Sequence, residues 1–432
     1  MVDNRLKQNG HPVSPKDIGF NWQDKLYPKE ACDVRVPITP YFPFRRIKIV
    51  EQTVLEDACE AQIRIQPDKR FQPICHCCGQ RASGVHSWTE RRVRDLNLAA
   101  TPVWIKCHYR KVFCPHCQRV SVEDLELFHP YLRVTTRLAR YIYQLCRLMT
   151  VTDVARHLGL NWKTVKDIDK YYLEQEYGQP DFDGLQLLAV DEISIRKGHR
   201  YLTVVLDYVS GRVLFVGKHR KAKTLKRFFN QLKPRQRKSI DAVVMDMWDP
   251  FIKAVKKKLP NAKIVFDLFH VVANFNRVID TVRNSEYRKA CKQDKAVYKG
   301  ARYLLLKNRG NLRRLSERQQ LKHLLELNEV INTVLILKEK LKHIWTYRSR
   351  TWAGKALDQW CELARSLKNQ SLTAFVKTLE RYRYGILNHC DYPIHNGKLE
   401  GVNNKIKVIK RKAYGFHDLR YFTLKIYQAF SH

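Results

Sequence analysis

No apolar run in this chain approaches the roughly 20 residues that a membrane-spanning helix needs. The opening stretch, MVDNRLKQNGHPVSPKDIGF, has no apolar core of the kind a secretory leader carries. The twelve cysteines form no secreted disulfide framework: five sit in two tight groups with C-x-x-C spacing and the others stand singly, as in a reducing compartment. These absences argue against a membrane protein or a disulfide-stapled secreted one, so a cytoplasmic or nucleoid-associated protein is expected. Negative charge is also scarce. Forty-two Asp and Glu face eighty Lys and Arg, a net charge of +38 over 432 residues. Such an excess concentrates a protein on a phosphate backbone and gives salt-dependent binding through counterion release. A ribosome-like or merely highly charged surface is the alternative, and nucleic acid is the favoured partner.

The chain is organised around the stretch Asp241 to His270, DAVVMDMWDPFIKAVKKKLPNAKIVFDLFH. Two apolar runs, AVVM and KIVF, each end in an aspartate, Asp246 and Asp267. Between them Asp249 suits a helix N-cap and Pro250 the first helical position. A strand–helix–strand unit with carboxylates at its strand ends is where a parallel α/β sheet places an active site. A third run, LQLLAVDEISI, carries Asp191 inside an apolar strand, where an unpaired carboxylate is costly to desolvate.

Residues 1–45 are polar and proline-punctuated and are expected to be a flexible arm. Residues 46–130 have a β pattern and hold two knuckles, Cys75/Cys78 and Cys114/Cys117. Four such thiolates can bind Zn²⁺ tetrahedrally and stabilise a small domain with little core of its own. The strand VWIKCHYRKVF, Val103 to Phe113, delivers the second knuckle. Cys77, Cys107, His76, His108 and His116 compete as ligands, and no open-site ligand set points to catalytic zinc. Residues 131–178 contain a helix-turn-helix pattern: Val154, Ala155 and Leu158 line one helix, Gly159 allows the turn, and Leu160, Val165 and Ile168 seat the second. Asn161, Trp162, Lys163, Thr164 and Lys166 then open the recognition helix as DNA-binding candidates. A plain αα-hairpin gives the same apolar pattern; the basic second helix favours DNA.

Gln179 to Gly184 is a linker, and residues 184–276 then follow the order β-β-β-α-β-α-β of an RNase H-like fold. Residues 277–383 are almost wholly helical by periodicity and form an all-α insertion. Its Trp345, Trp352 and Trp360 are candidates for the core or for stacking on a base. Residues 384–432 complete the α/β core, with a helix from near Lys398 on which Glu400, Asn403, Asn404, Lys407 and Arg411 share a face. The expected fold class is therefore an α/β RNase H-like core with a large all-α insertion, preceded by zinc-ribbon and helix-turn-helix domains. Three carboxylates, Asp191, Asp246 and Glu400, can hold two divalent cations of the Mg²⁺ type about 3.5–4 Å apart, an arrangement suited to in-line attack on a phosphodiester. Taken singly, each Asp could be a turn or cap residue, as Asp207 is expected to be.

The two cysteine knuckles, the helix-turn-helix, LLAVDE, VVMDMWDPF, DLFH and HNGKLEGVNNKIKVIKR, in that order, resemble the ISL-three family of bacterial insertion-sequence transposases. The resemblance covers nearly the whole chain from about residue 45. It implies a DDE transposase in which Asp191, Asp246 and Glu400 are the catalytic triad, with Mg²⁺ or Mn²⁺ as cofactor. It matches Asp267 and His270 to an Asp-x-x-His signature, His270 acting in catalysis and Asp267 in support. Lys407, seven residues after Glu400, matches a DNA-contacting Lys, with Arg411 beside it as a second phosphate ligand. The first knuckle departs from the family in reading CHCCG, with His76 where Pro is common and an extra Cys77. The implied activity is binding of terminal inverted repeats, cleavage at the element's ends and transfer of the freed 3′-OH to target DNA. A homodimer or higher assembly on double-stranded DNA is implied too. The alternatives are a domesticated or decayed transposase acting as a DNA-binding regulator, against which three intact carboxylates argue, and a structure-selective nuclease on the same fold.

Overall fold

The computed structural model describes residues 42, 44, 46–54, 59–128, 132–196, 200–307, 309–394 and 397–431. The expected arm at 1–45 lies outside them, apart from Phe42 and Phe44. The chain divides into two compact units, residues 1–141 and 142–432.

The first unit is a sheet of β1 (Ile47–Val54), β2 (Ala61–Pro67), β3 (Gly84–Arg94), β4 (Val103–Cys114) and β5 (Arg119–Val122), in the order β1-β2-β4-β3 with β5 paired to β4. The alternation in β4 explains its place. Val103, Ile105, Cys107 and Tyr109 face a core shared with Ile63, Ile65, Val93, Leu125 and Leu127, while Lys106 and His108 face outward. One charge pair is buried here: Arg110 Nε donates to Glu123 Oε2 at 2.6 Å, both side chains nearly inaccessible. A helix, α1 (Thr136–Leu148), carries the chain across the division between the units.

The second unit opens with α2 (Val151–Leu158) and α3 (Trp162–Tyr177). Thr150 caps α2 by accepting the Asp153 N–H, and Gly159 ends it at φ +64°, a left-handed conformation that favours glycine. Val154, Ala155, Leu158, Val165 and Ile168 are buried, as the pattern predicts. Then follow β6 (Leu187–Arg196), β7 (Arg200–Asp207), β8 (Val213–Lys218), α4 (Ala222–Phe229), α5 (Pro234–Lys238), β9 (Ala242–Met245), α6 (Asp249–Lys258), β10 (Lys263–Phe266) and α7 (Leu268–Lys289). The sheet order is β10-β9-β6-β7-β8; β6, β9 and β10 run parallel, and β7 and β8 continue antiparallel.

Helices pack on both faces of this sheet. Leu188, Val190, Val243, Met245, Ile264 and Phe266 point into a large core with Phe228, Phe229, Phe251 and Phe275. Burial of each such phenylalanine stabilises the fold by roughly 1.5–3 kcal/mol. Ala189, Ile193 and Val244 point the other way, into a smaller core with Leu399, Val402, Ile406, Phe422 and Ile426. Those last residues lie on α15 (Gly397–Lys412) and α16 (Leu419–Phe430).

The helical block between comprises α8 (Lys295–Tyr298), α9 (Ala301–Leu306), α10 (Leu315–Leu327), α11 (Glu329–Ile344), α12 (Arg350–Ser366), α13 (Gln370–Arg381) and α14 (Arg383–Leu387). It extends the large core rather than forming a separate one, and α7 runs unbroken from the sheet into it. Trp360 is core, its indole N–H donating to Leu337 C=O at 2.7 Å; Trp352 is exposed. Lys338, 1% exposed, gives its three ammonium donors to the carbonyls of Leu305, Leu306 and Lys307 at the end of α9. Asp249 differs from the expected cap. Trp248 takes that position, and Asp249 turns its carboxylate to Tyr382 Oη and Arg381, both at 2.8 Å, which hold it below the usual carboxylate range.

Candidate active site

Strand register brings the first carboxylates together. Ala189 on β6 pairs with Val244 on β9, and Met245 on β9 with Phe266 on β10. Continuing that parallel register places Asp191, Asp246 and Asp267 level across three neighbouring strands. Pleat then sets their face: Asp191 alternates with Ala189 and Ile193, and Asp246 with Val244, so both share the side roofed by α15. Asp191 is largely buried, its side chain 12% exposed, whereas Asp246, just past the end of β9, is 44% exposed.

His270 joins them. Its Nε2 lies 3.8 Å from Asp191 Oδ1 and its Nδ1 3.8 Å from Asp246 Oδ2. Asp267 explains how it gets there: its carboxylate caps α7 by accepting the Phe269 N–H at 2.9 Å, and the first turn of that helix delivers the imidazole. Burial pushes Asp267 up from the ordinary carboxylate value; the Phe269 N–H and His270 oppose this, and Asp191 and Asp246 add to it. Asp267 is thus a helix cap beneath the site, with the signature His one turn above it.

From the other side, α15 reaches down through Asn403, whose Nδ2 donates to Asp191 Oδ2 at 2.5 Å. Glu400 lies one turn earlier on the same side of α15, exposed and without an ion pair or hydrogen bond among the described residues. Lys407 and Arg411 continue along the helix, both exposed. Among the described residues only Cys75, Cys78, Cys114 and Cys117 bring three or more ligand atoms within 4.8 Å of one another. The ligand atoms of Asp191, Asp246 and Glu400 therefore do not all lie within 4.8 Å of one another. The chemistry of these three donors, all carboxylate oxygen, suits Mg²⁺ or Mn²⁺.

Two features of this region were not drawn from the sequence. One is the Asn403 bond to Asp191. The other lies behind the sheet, where period two sends Glu192 to the face opposite its neighbour. Arg220 lies 3.5 Å from Glu192 and is sandwiched between the rings of Tyr201 and Trp248, each 4.6 Å away. Burial raises Glu192 to about 7 against the pull of Arg220. The Asp191-Glu192 dipeptide was the available signal, since alternation requires its two carboxylates to diverge.

The four cysteines of the first unit form a thiolate cage. Cys77 N–H points at Cys75 Sγ and Cys117 N–H at Cys114 Sγ, both at 3.4 Å, and Cys78 Sγ lies 3.5 Å from Cys114 Sγ. Each knuckle turns on a left-handed residue immediately after its second cysteine, Gly79 at φ +71° and Gln118 at φ +51°. The competing ligands stand aside: Cys77 is exposed next to Ser121, Cys107 is sealed in the β4 core where burial pushes its thiol to about 12, and His108 stacks on Trp88. This set is suited to structural zinc.

In the helix-turn-helix, Asn161 caps α3 through a 2.8 Å bond from Lys163 N–H, and Trp162 and Lys163 are exposed with Thr164 partly so. Lys166 differs. Its ammonium is 3.3 Å from Asp418, which also binds Lys170 at 2.8 Å. With Asp169 bonded to Tyr421 and Lys425, this network fixes α3 on α16.

A DNA-reading helix pair followed by a sheet that aligns carboxylates under a basic helix is the build of a DDE-type transposase. A family model described as transposase matches residues 188–426. The helix-turn-helix domain of transposase family ISL3 matches 123–173, and the zinc-finger of transposase IS204/IS1001/IS1096/IS1165 matches 72–117. The transposase for insertion sequence element IS1001 of Bordetella parapertussis is 40% identical over 361 residues, 83% of this chain and 88% of that protein. The transposase for insertion sequence element IS1557 of Mycobacterium tuberculosis is 26% identical over 396 residues, 83% of this chain and 86% of that protein. The chain belongs to the ISL3 family of transposases.

Proposed function

We propose that this transposase cuts the ends of an insertion sequence and joins them to target DNA at a site made by Asp191, Asp246 and Glu400. The observation that carries this reading is the level placement of Asp191 on β6 and of Asp246 just past the end of the adjacent parallel strand β9, below the helix that bears Glu400. The sheet order, three antiparallel strands extended by two parallel ones beside the first, supports an RNase H-like core interrupted by the helical block. On this reading residues 184–276 and 384–432 are the two parts of the core and 277–383 the insertion, with the ribbon at 46–130 and the helix-turn-helix at 131–178.

Mg²⁺ or Mn²⁺ held by the three carboxylates supplies charge neutralisation at the scissile phosphate and activation of the attacking oxygen. The protein's own groups do the rest. His270 keeps the carboxylates of Asp191 and Asp246 in one arrangement, and Lys407 and Arg411 bind phosphates along the strand that crosses the site. Water is the first nucleophile and breaks the P–O3′ bond at the element's end, leaving a 3′-OH on the element and a 5′-phosphate on the flanking DNA; that hydroxyl then attacks a target phosphodiester, joining to its 5′-phosphate and releasing the target's 3′-OH, with no covalent link to the enzyme. The first turn of α3, with Trp162, Lys163 and Thr164, reads the terminal inverted repeats, and Zn²⁺ on the four thiolates stiffens the ribbon that accompanies it. Two ends must be held at once, so a homodimer or larger assembly is the working form, in the cytoplasm on the nucleoid.

The test uses the DNA that flanks the reading frame. Matching inverted repeats should bracket it, and the purified protein should nick at their ends with Mg²⁺ and not with EDTA. Binding without metal-dependent nicking would point to a regulator, and cleavage without preference for the repeats to a nuclease.

A further inference from the structure

We propose that Asn403 is the positioning residue for Asp191, coupling the carboxylate on β6 to the helix that carries Glu400. This rests on the assignment of Asp191 and Glu400 given above. Three observations converge on it. The amide Nδ2 donates to Asp191 Oδ2 at 2.5 Å, while Asp191 Oδ1 accepts the Glu192 N–H at 2.7 Å. The Asp191 carboxylate is therefore fixed at both oxygens, and each keeps a lone pair for a cation. Leu399, Val402 and Ile406 form the buried stripe of α15, and Asn403 borders it on the side of the sheet, one turn after Glu400.

A second anchor holds the same helix. Lys398 donates through Nζ to the carbonyls of Tyr208 and Val209, at 2.6 and 2.7 Å, at the turn between β7 and β8. Glu400 thus sits between two fixed points, one of which is the Asp191 carboxylate itself. Two carboxylates distant in sequence become a single unit whose spacing is set by α15. The amide suits the task because it is neutral. A lysine there would pair with Asp191 and oppose a cation, and an aspartate would add repulsion to a site already holding Asp191 and Asp246.

The experiment compares the full-length wild type with Asn403→Ala and with Asn403→Leu, which retains the volume. Four quantities are read: Mn²⁺ affinity by electron paramagnetic resonance titration, the half-saturating Mg²⁺ for end cleavage, binding of inverted-repeat DNA, and the melting temperature. Both variants should bind Mn²⁺ about 10-fold more weakly, the lower end of the usual cost of losing a group that orients a metal ligand. Half-saturating Mg²⁺ should rise by the same factor. Cleavage at saturating Mg²⁺ should recover towards the wild-type rate, with DNA binding and melting unchanged. Wild-type metal affinity in a folded variant would overturn the proposal, as would failure of both variants to fold, which would make Asn403 a structural residue. Asp191→Ala, measured in parallel, separates the two levels. If it still joins strands, the site assignment fails; if it is inactive while the Asn403 variants keep normal metal affinity, only the positioning role fails.

Discussion

Asp191 and Asp246 face the same side of the central sheet at the same level, because β6 and β9 pair in parallel with Ala189 opposite Val244. Neither residue signals this alone. One lies within a strand and the other after one, and only the register makes them neighbours.

His270 stands between these two carboxylates, 3.8 Å from each. His270→Ala removes the side chain that stands between them and helps to fix their spacing. End cleavage under single-turnover conditions should fall about 10- to 100-fold, in the range of losing a residue that orients metal ligands. Inverted-repeat binding should not change. Equal losses of binding and cleavage would place His270 on the DNA instead.

Lys163 and Lys166 should behave differently despite lying in the same turn. Lys163 is exposed, its ammonium over the Trp162 ring and in reach of phosphate, so Lys163→Ala should weaken end binding and reduce the salt slope, log K against log salt, by about 0.9. Lys166 is engaged by Asp418. Its replacement should leave the slope unchanged and lower stability by up to about 1 kcal/mol, the range of a partly exposed ion pair. Gel shifts over a salt series distinguish them.

Asp418 itself gives a pH signature. Burial would raise its pKa, but Lys170, the Tyr421 N–H and Lys166 outweigh that and lower it from 3.8 to about 2. A carboxylate with a depressed folded pKa contributes stability above its unfolded pKa and loses it as pH falls towards the folded one. Asp418→Asn, which keeps the cap on α16, should therefore cost on the order of 1–2 kcal/mol at pH 7. The difference from wild type should shrink between pH 4 and pH 2. Denaturant melts at several pH values measure it.

The four-cysteine cage predicts one zinc per chain. Cys78→Ser or Cys114→Ser should abolish it, and strong chelators should unfold the ribbon while the second unit keeps its own transition. Atomic absorption and calorimetry are the measurements. Retained zinc in Cys78→Ser would bring Cys77 back as a ligand.

Much of this architecture could be seen in the residues. Apolar alternation located β4, and short apolar runs located β6, β9 and β10; Gly159 marked the turn of the helix pair; paired C-x-x-C spacing picked out the four cysteines from five rivals. The remainder depended on long-range contacts that leave no local pattern. Asp249 has the composition of a cap, yet Tyr382 and Arg381, far along the chain, draw its carboxylate away. Lys166 has the spacing of a DNA contact, and Asp418 on the last helix claims it. Asn403 was visible as a polar residue on a basic helix, but its partner on β6 was not. The helical periodicity of residues 277–383 was evident, whereas the sharing of one core between the block and the sheet required tertiary packing.

The central claim is that Asp191, Asp246 and Glu400 act together on a phosphodiester. It is tested most directly by strand transfer from a pre-cut end, which supplies the 3′-OH and bypasses the first cut. With Asp191→Ala, Asp246→Ala or Glu400→Gln, joining to target DNA in Mg²⁺ should be abolished while inverted-repeat binding stays at the wild-type level. Wild-type joining by any of the three would contradict the account.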